Sequence, residues 1–105
     1  MDKKYRTFSE LLVEKLKNDS ELADIFLRSA IDDYSKDMNK EALLLSLRHL
    51  AEARGFSKTA RESGLTRDVF YKSLLPNGNP KLDTVMAILR ALKYTITIRP
   101  LETAR

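Results

Sequence analysis

"SKTARESGLTRDVFYKSL", residues 57–74, is the stretch whose reading decides the fold. It is helix-forming text interrupted once, at Gly64, Leu65 and Thr66. Two arrangements fit it. One is a helix C-cap followed by an ordinary turn. The other is a pair of short helices that cross closely, with the second held out for recognition. A close crossing has definite requirements. The first helix, 57–63, needs a small side chain at closest approach, and Ala60 is one. The turn, 64–66, needs a backbone position that tolerates positive φ, which Gly64 provides without a Cβ penalty. Leu65 is placed to plug the junction. Thr66 is a good N-cap for a helix over 67–75, and Asp68 in the first turn complements the helix dipole.

In that second helix Phe70 and Leu74 lie four apart with Ser73 between them in angle, which makes an inward face. Arg67, Asp68, Tyr71 and Lys72 fall at i, i+1, i+4 and i+5, which makes an outward polar face. Charge gathers around the same place. Residues 54–81 hold six Lys or Arg (Arg54, Lys58, Arg61, Arg67, Lys72, Lys81) against Glu62 and Asp68. Residues 41–105 carry 11 basic against 6 acidic side chains, a net of +5, whereas residues 1–40 carry 8 against 9, a net of −1. A nucleic-acid footprint has this form, and so does a plain solvated face; on charge alone both stand.

The rest of the chain frames the segment. At 105 residues, with 43% hydrophobic and 32% charged residues, it is of one-domain length and globular composition. It has no cysteine, which removes disulfides and thiolate metal sites and points to a reducing compartment. "MDKKYRTFSE" has no apolar h-region and no run approaches the length of a spanning helix, so a cytoplasmic protein away from membranes is expected. Thr7 and Glu10 form a capping box ahead of a helix over 7–17 with Phe8, Leu11, Leu12 and Leu16 at helical spacing. Asp19 or Ser20 caps a second helix to about residue 35, whose apolar stripe is read as Leu22, Ile25, Phe26, Ala30 and Tyr34. A third, 41–54, is apolar on more than one side and is expected to be central, and Gly55 ends it. "LPNGNP", 75–80, is a loop, and a last helix follows over 81–93.

At the end the period changes. Tyr94, Ile96 and Ile98 alternate with Thr95, Thr97 and Arg99, the pattern of a half-buried strand. No other stretch could pair with it, and an isolated strand is not stable. Antiparallel pairing with its own copy across a two-fold axis, giving a homodimer, is therefore expected, with a frayed tail as the alternative. The expected chain is all-α, with five to six helices and a C-terminal dimerising β-strand: a helical extension over 1–40, a helix-turn-helix domain over 41–93, and strand and tail over 94–105.

"ARESGLTRDVFYKSL" resembles the helix-turn-helix of phage-repressor proteins of the Cro/cI, XRE type. With "LAEARGFSKTARESGLTRDVFYKSLLPNGNPKLDTVMAILRAL" around it, the chain is similar to the HigA-like addiction-module antidotes. In those the "A-R-x-x-G-L" turn, the "YK-x-L" helix and the "GNP-x-x-x-T" loop occur in this order. The likeness covers residues 20–100, with 51–92 its specific part. One departure is Lys93, where these proteins usually place glycine after "AL". The resemblance implies a dimer that binds double-stranded operator DNA upstream of its own genes and pairs with a RelE/HigB-like toxin, usually an mRNA-cleaving ribonuclease. It implies that Arg67, Asp68, Tyr71 and Lys72, with Thr66 at their head, face the major groove. Ser57 and Lys58 would meet a phosphate, Asn77, Gly78 and Asn79 would donate to the DNA backbone, and Lys81 would add charge beside them.

Each residue also has a duller role open to it. Arg67 suits guanine O6 and N7, or it pairs with Asp68. Lys58 and Lys72 suit phosphates, blind to sequence. Tyr71 touches phosphate or a thymine methyl, or packs at the domain edge. Asp68 accepts from cytosine or only serves the dipole, and "NGN" is a phosphate contact or only a turn. His49, the one histidine, has no partners for a metal site and is read as a partly exposed helix residue. Asp32 and Asp33 diverge by about 100° and make no acid–base pair. There is no GxGxxG, P-loop or GxSxG element, so neither an enzyme nor a cofactor or metal is expected. Three functions remain open: an autorepressing antitoxin, a stand-alone prophage-type repressor, and an interaction module that has lost DNA binding. For the antitoxin, toxin contacts are expected within residues 1–40, with Tyr5 and Val13 among the surplus apolar residues.

Overall fold

The computed structural model describes residues 7–101. They form six helices: α1 Phe8–Asn18, α2 Ser20–Asp37, α3 Lys40–Arg54, α4 Phe56–Ser63, α5 Arg67–Ser73 and α6 Leu82–Ala91. Tyr5 lies outside the described residues, as do the ends of the expected 1–40 and 94–105 segments.

Local signals set most boundaries. Thr7 and Glu10 close the capping box in both directions: Glu10 N–H donates to Thr7 Oγ1 at 3.1 Å and Thr7 N–H to Glu10 Oε1 at 3.0 Å. Of the two candidate caps for α2, Asp19 is the one used, accepting from Leu22 N–H at 3.0 Å. Asn39 caps α3 through Ala42 N–H at 3.1 Å.

Helix α3 is central, packing against α1, α2 and α4, and α4 in turn packs on α5 and α6. Leu44, Leu47, Leu50 and Ala51 of α3 join Leu16, Leu27, Ala60, Phe70, Leu74, Ile88, Leu89 and Leu92 in one buried core. The stripe expected for α2 is rotated. Leu27 is buried and Ile31 packs on the core, whereas Ile25 is 56% exposed. The reason is angular. At 100° per residue, Ile25 lies about 150° from the centre of the face formed by Leu22, Ala23, Phe26, Leu27, Ala30 and Ile31.

Two further expectations are corrected. His49 is buried rather than partly exposed: it sits at the seam between α3 and α1, with Nε2 3.3 Å from Ser9 Oγ. Burial lowers its pKa below 6.5, with nearby Arg48 adding to the shift and Glu52 opposing it.

The expected strand over 94–99 does not form in the single chain, and no strand occurs among the described residues. No edge among the described residues is there to pair with it, and the end of α6 puts its first residue to another use. Lys93 adopts φ +73°, and its N–H donates to Arg90 O at 2.9 Å while Tyr94 N–H donates to Leu89 O at 2.9 Å. That pair of bonds is a Schellman motif, and it turns Tyr94 back onto the core. The Tyr94 hydroxyl then donates to Asp24 Oδ1 on α2 at 2.6 Å. Tyr94 is thus an anchor within its own chain. Ile96 and Ile98 follow in irregular, extended chain, 42% and 93% exposed. No helix among the described residues is long and apolar enough to cross a membrane.

Candidate nucleic-acid interface

The two short helices α4 and α5 pack against each other. Ala60 is buried in the core, Phe70 and Leu74 are closed off from solvent, and Leu65 packs against the core from the turn. Gly64 caps α4 at φ +78°, a conformation that costs an L-residue about 1–2 kcal/mol. Thr66 Oγ1 accepts from Val69 N–H at 3.1 Å and so starts α5. Ser73, on the inward face, returns its hydroxyl to Val69 O at 2.7 Å.

The outward face of α5 is open. Arg67, Asp68, Tyr71 and Lys72 are all exposed. Arg67 does not pair with Asp68; its Nη1 donates to Ser57 Oγ at 3.1 Å and bridges the N-terminal ends of α5 and α4. Asp68 pairs instead with Lys72 at 3.3 Å, both side chains about 70% exposed. A helix-surface pair of this kind contributes only about 0.3–0.5 kcal/mol, so an incoming phosphate can open it. Lys58 is exposed one residue beyond Ser57, and Lys81 is exposed as the N-cap of α6.

Within the 77–79 loop the three residues have different roles. Gly78 is buried, and its N–H already donates to Leu75 O at 2.8 Å, so the expected donor to DNA is engaged inside the chain. A Cβ there would collide with the Ser73 carbonyl oxygen, and glycine is required for this close approach. Asn79 is exposed but accepts from Lys40 Nζ at 2.9 Å, which ties the loop to the start of α3. Asn77 is exposed.

Three contributors were not foreseen. Arg48 of α3 donates from Nε and Nη2 to Leu74 O, at 3.0 and 2.5 Å, fixing the C-terminal end of α5 with a half-buried, charge-assisted pair of hydrogen bonds. Phe56 meets Phe70 edge to face at 4.9 Å and Tyr71 at 6.4 Å, propping α5 from the first turn of α4. Val69 lies on the far flank of the outward face, 43% exposed. Its angle on α5 could have revealed it; the reach of Arg48 across 26 residues leaves no local signal.

These elements define an all-α protein in which a helix-turn-helix, α4 and α5, is mounted on a core shared with an N-terminal hairpin, α1 and α2. The family model described as "Probable addiction module antidote protein" matches residues 8–100, and the chain belongs to that family. It is therefore the antitoxin side of a toxin–antitoxin module, with a toxin as partner. An uncharacterized protein of Haemophilus influenzae is 33% identical over 69 residues, which span 66% of this chain and 71% of the relative. No solved structure matches the chain.

Proposed function

We propose that this antidote is also a DNA-binding autorepressor, acting as a homodimer on an operator beside its own genes and neutralising a RelE/HigB-like toxin. The observation that carries this reading is the outward face of α5. Arg67, Asp68, Tyr71 and Lys72 stand in solvent on a helix whose cap, inner face and C-terminal end are all held from behind. Arg67 reads a guanine edge and Lys72, Lys58 and Lys81 meet phosphates, with Ser57 and Asn77 at the rim. Val69 offers an apolar contact to a thymine methyl.

In a dimer, two such helices reach half-sites on the order of 34 Å apart. The exposed alternation Ile96 and Ile98, leaving from the anchored Tyr94, supports pairing of the two tails. No catalytic chemistry is assigned to the chain, and no cofactor.

The test is binding to the DNA upstream of the gene, followed by fluorescence anisotropy. The double variant Arg67→Ala, Lys72→Ala should lose specific binding, of which Arg67 accounts for about 1–3 kcal/mol, and the salt slope should fall by about 1 through Lys72. Toxin neutralisation in a growth assay should be unchanged. Specific binding that survives both changes would place the recognition surface elsewhere.

A further inference from the structure

The hairpin carries a second surface, different in kind. On α1, Leu11 lies one turn beyond Phe8, and they are 43% and 78% exposed; on α2, Ile25 lies one turn beyond Leu22 and is 56% exposed. Between the helices runs an open groove of about 430 Å³ lined by Leu11, Glu14, Lys15, Asn18, Asp19 and Leu22. Helix α1 has already turned Leu12 and Leu16 to the core, and α2 has turned Phe26 and Leu27, so the outer apolar residues are not needed for packing on α3.

Charge narrows the occupant. Residues 8–37 hold eight Asp or Glu against four Lys or Arg, a net of −4, while residues 41–101 hold five acidic against ten basic, a net of +5. On the groove's own lining Glu14 and Asp19 outnumber Lys15, and an excess of carboxylate repels a phosphate backbone. A two-fold contact would also set this acidic face against its own copy, like charge on like. A protein that offers an apolar segment framed by lysine and arginine satisfies both the groove and its charge.

We infer that the α1–α2 groove is the toxin-docking surface, and that the toxin presents to it an apolar segment within a basic rim. This rests on the antidote assignment. The chain thus holds its two partners on separate surfaces, phosphate on the basic helix-turn-helix and toxin on the acidic hairpin.

The experiment uses the full chain and the protein encoded by the neighbouring reading frame, with affinity measured by calorimetry. Leu11→Glu with Ile25→Glu should weaken the complex at least tenfold while leaving operator binding and the melting temperature unchanged. Should the charged pair unfold the chain, Leu11→Ala with Ile25→Ala should give a smaller loss in the same direction. The wild-type complex should also weaken as salt is raised. A complex unchanged within twofold by both variants overturns the docking surface and leaves the antidote assignment standing. Sedimentation that shows the glutamate variant splitting a homodimer overturns it in favour of a second copy. A wild-type chain with no affinity for its neighbour's product sinks the docking surface and the antidote reading together.

Discussion

The hairpin and the helix-turn-helix are both built from short amphipathic helices on one core, yet they put opposite materials on their outer faces. Helix α5 buries Phe70 and Leu74 and turns out charges and a phenol. Helices α1 and α2 bury one apolar row and leave a second row, Phe8, Leu11 and Ile25, in water. A face of flexible charges that form weak ion pairs suits a polyanion whose contacts are exchanged for counterions. A face of apolar side chains beside a groove gains only when another protein removes it from solvent. The two halves thus suit two partners of unlike chemistry.

The sharpest way to break the comparison is to make one substitution in both halves. Phe70→Ala should cost about 3–5 kcal/mol in chemical denaturation, since it empties a closed site between α4 and α5. Phe8→Ala should change stability by less than about 0.5 kcal/mol, because Phe8 is 78% exposed and touches little. Similar losses at the two positions would mean that the outer row of the hairpin is core after all.

A smaller effect is expected where α6 hands over to the tail. Lys93 holds a left-handed conformation that glycine adopts freely. Lys93→Gly should stabilise the chain by about 0.5–1 kcal/mol after allowing for the extra freedom of the unfolded state, a rise of a few degrees in melting temperature.

The smallest effect is acid-sensitive and sits at the seam between the halves. His49 is buried beside Ser9, and its pKa is held below 6.5 by that burial. Well above pH 6.5 it is neutral folded and unfolded and contributes no pH dependence. Below 6.5 the unfolded chain takes the proton first, so stability falls with pH until the folded-state pKa is passed. His49→Gln should flatten the melting temperature between pH 6.5 and 5, with the carboxylates' own acid response left in place. Hydrogen exchange at pH 5 should show α1 opening more readily in the parent chain than in the variant.

Much of the helix-turn-helix was legible because its signals are local. Thr66 is an N-cap three residues from the amide it serves, Gly64 occupies a left-handed turn, and Ala60 is a small residue turned into the core. The hairpin was legible as helices but misread in its facing. Ile25 reads as core because apolar residues at helical spacing are usually core, and nothing within α2 distinguishes a row that packs from a row left in solvent. The contacts made by Arg48, Lys40 and the Tyr94 hydroxyl bridge 26, 39 and 70 residues, and no periodicity predicts them. The strand pattern at 94–99 forms no strand within the single chain, and its first residue is put to another use. Alternation describes side chains, but the backbone bonds of the Schellman turn had already committed Tyr94 to the core.

The bond from Tyr94 to Asp24 has a consequence for the order of folding. Burial, and then the hydrogen bond itself, raise the Tyr94 pKa to about 12, as expected for a hydroxyl committed to a carboxylate. The two residues are 70 apart, the longest separation among the side-chain hydrogen bonds of the described residues. A chain emerging from a ribosome would present α1 to α5 well before Tyr94 is available. The bond is therefore the last that can be made: it closes the molecule only after α6, whose Ile88, Leu89 and Leu92 complete the core shared with Leu16 and Leu27, is in place. In such a chain, the contact that ties the last turn to the second helix waits for the end of synthesis.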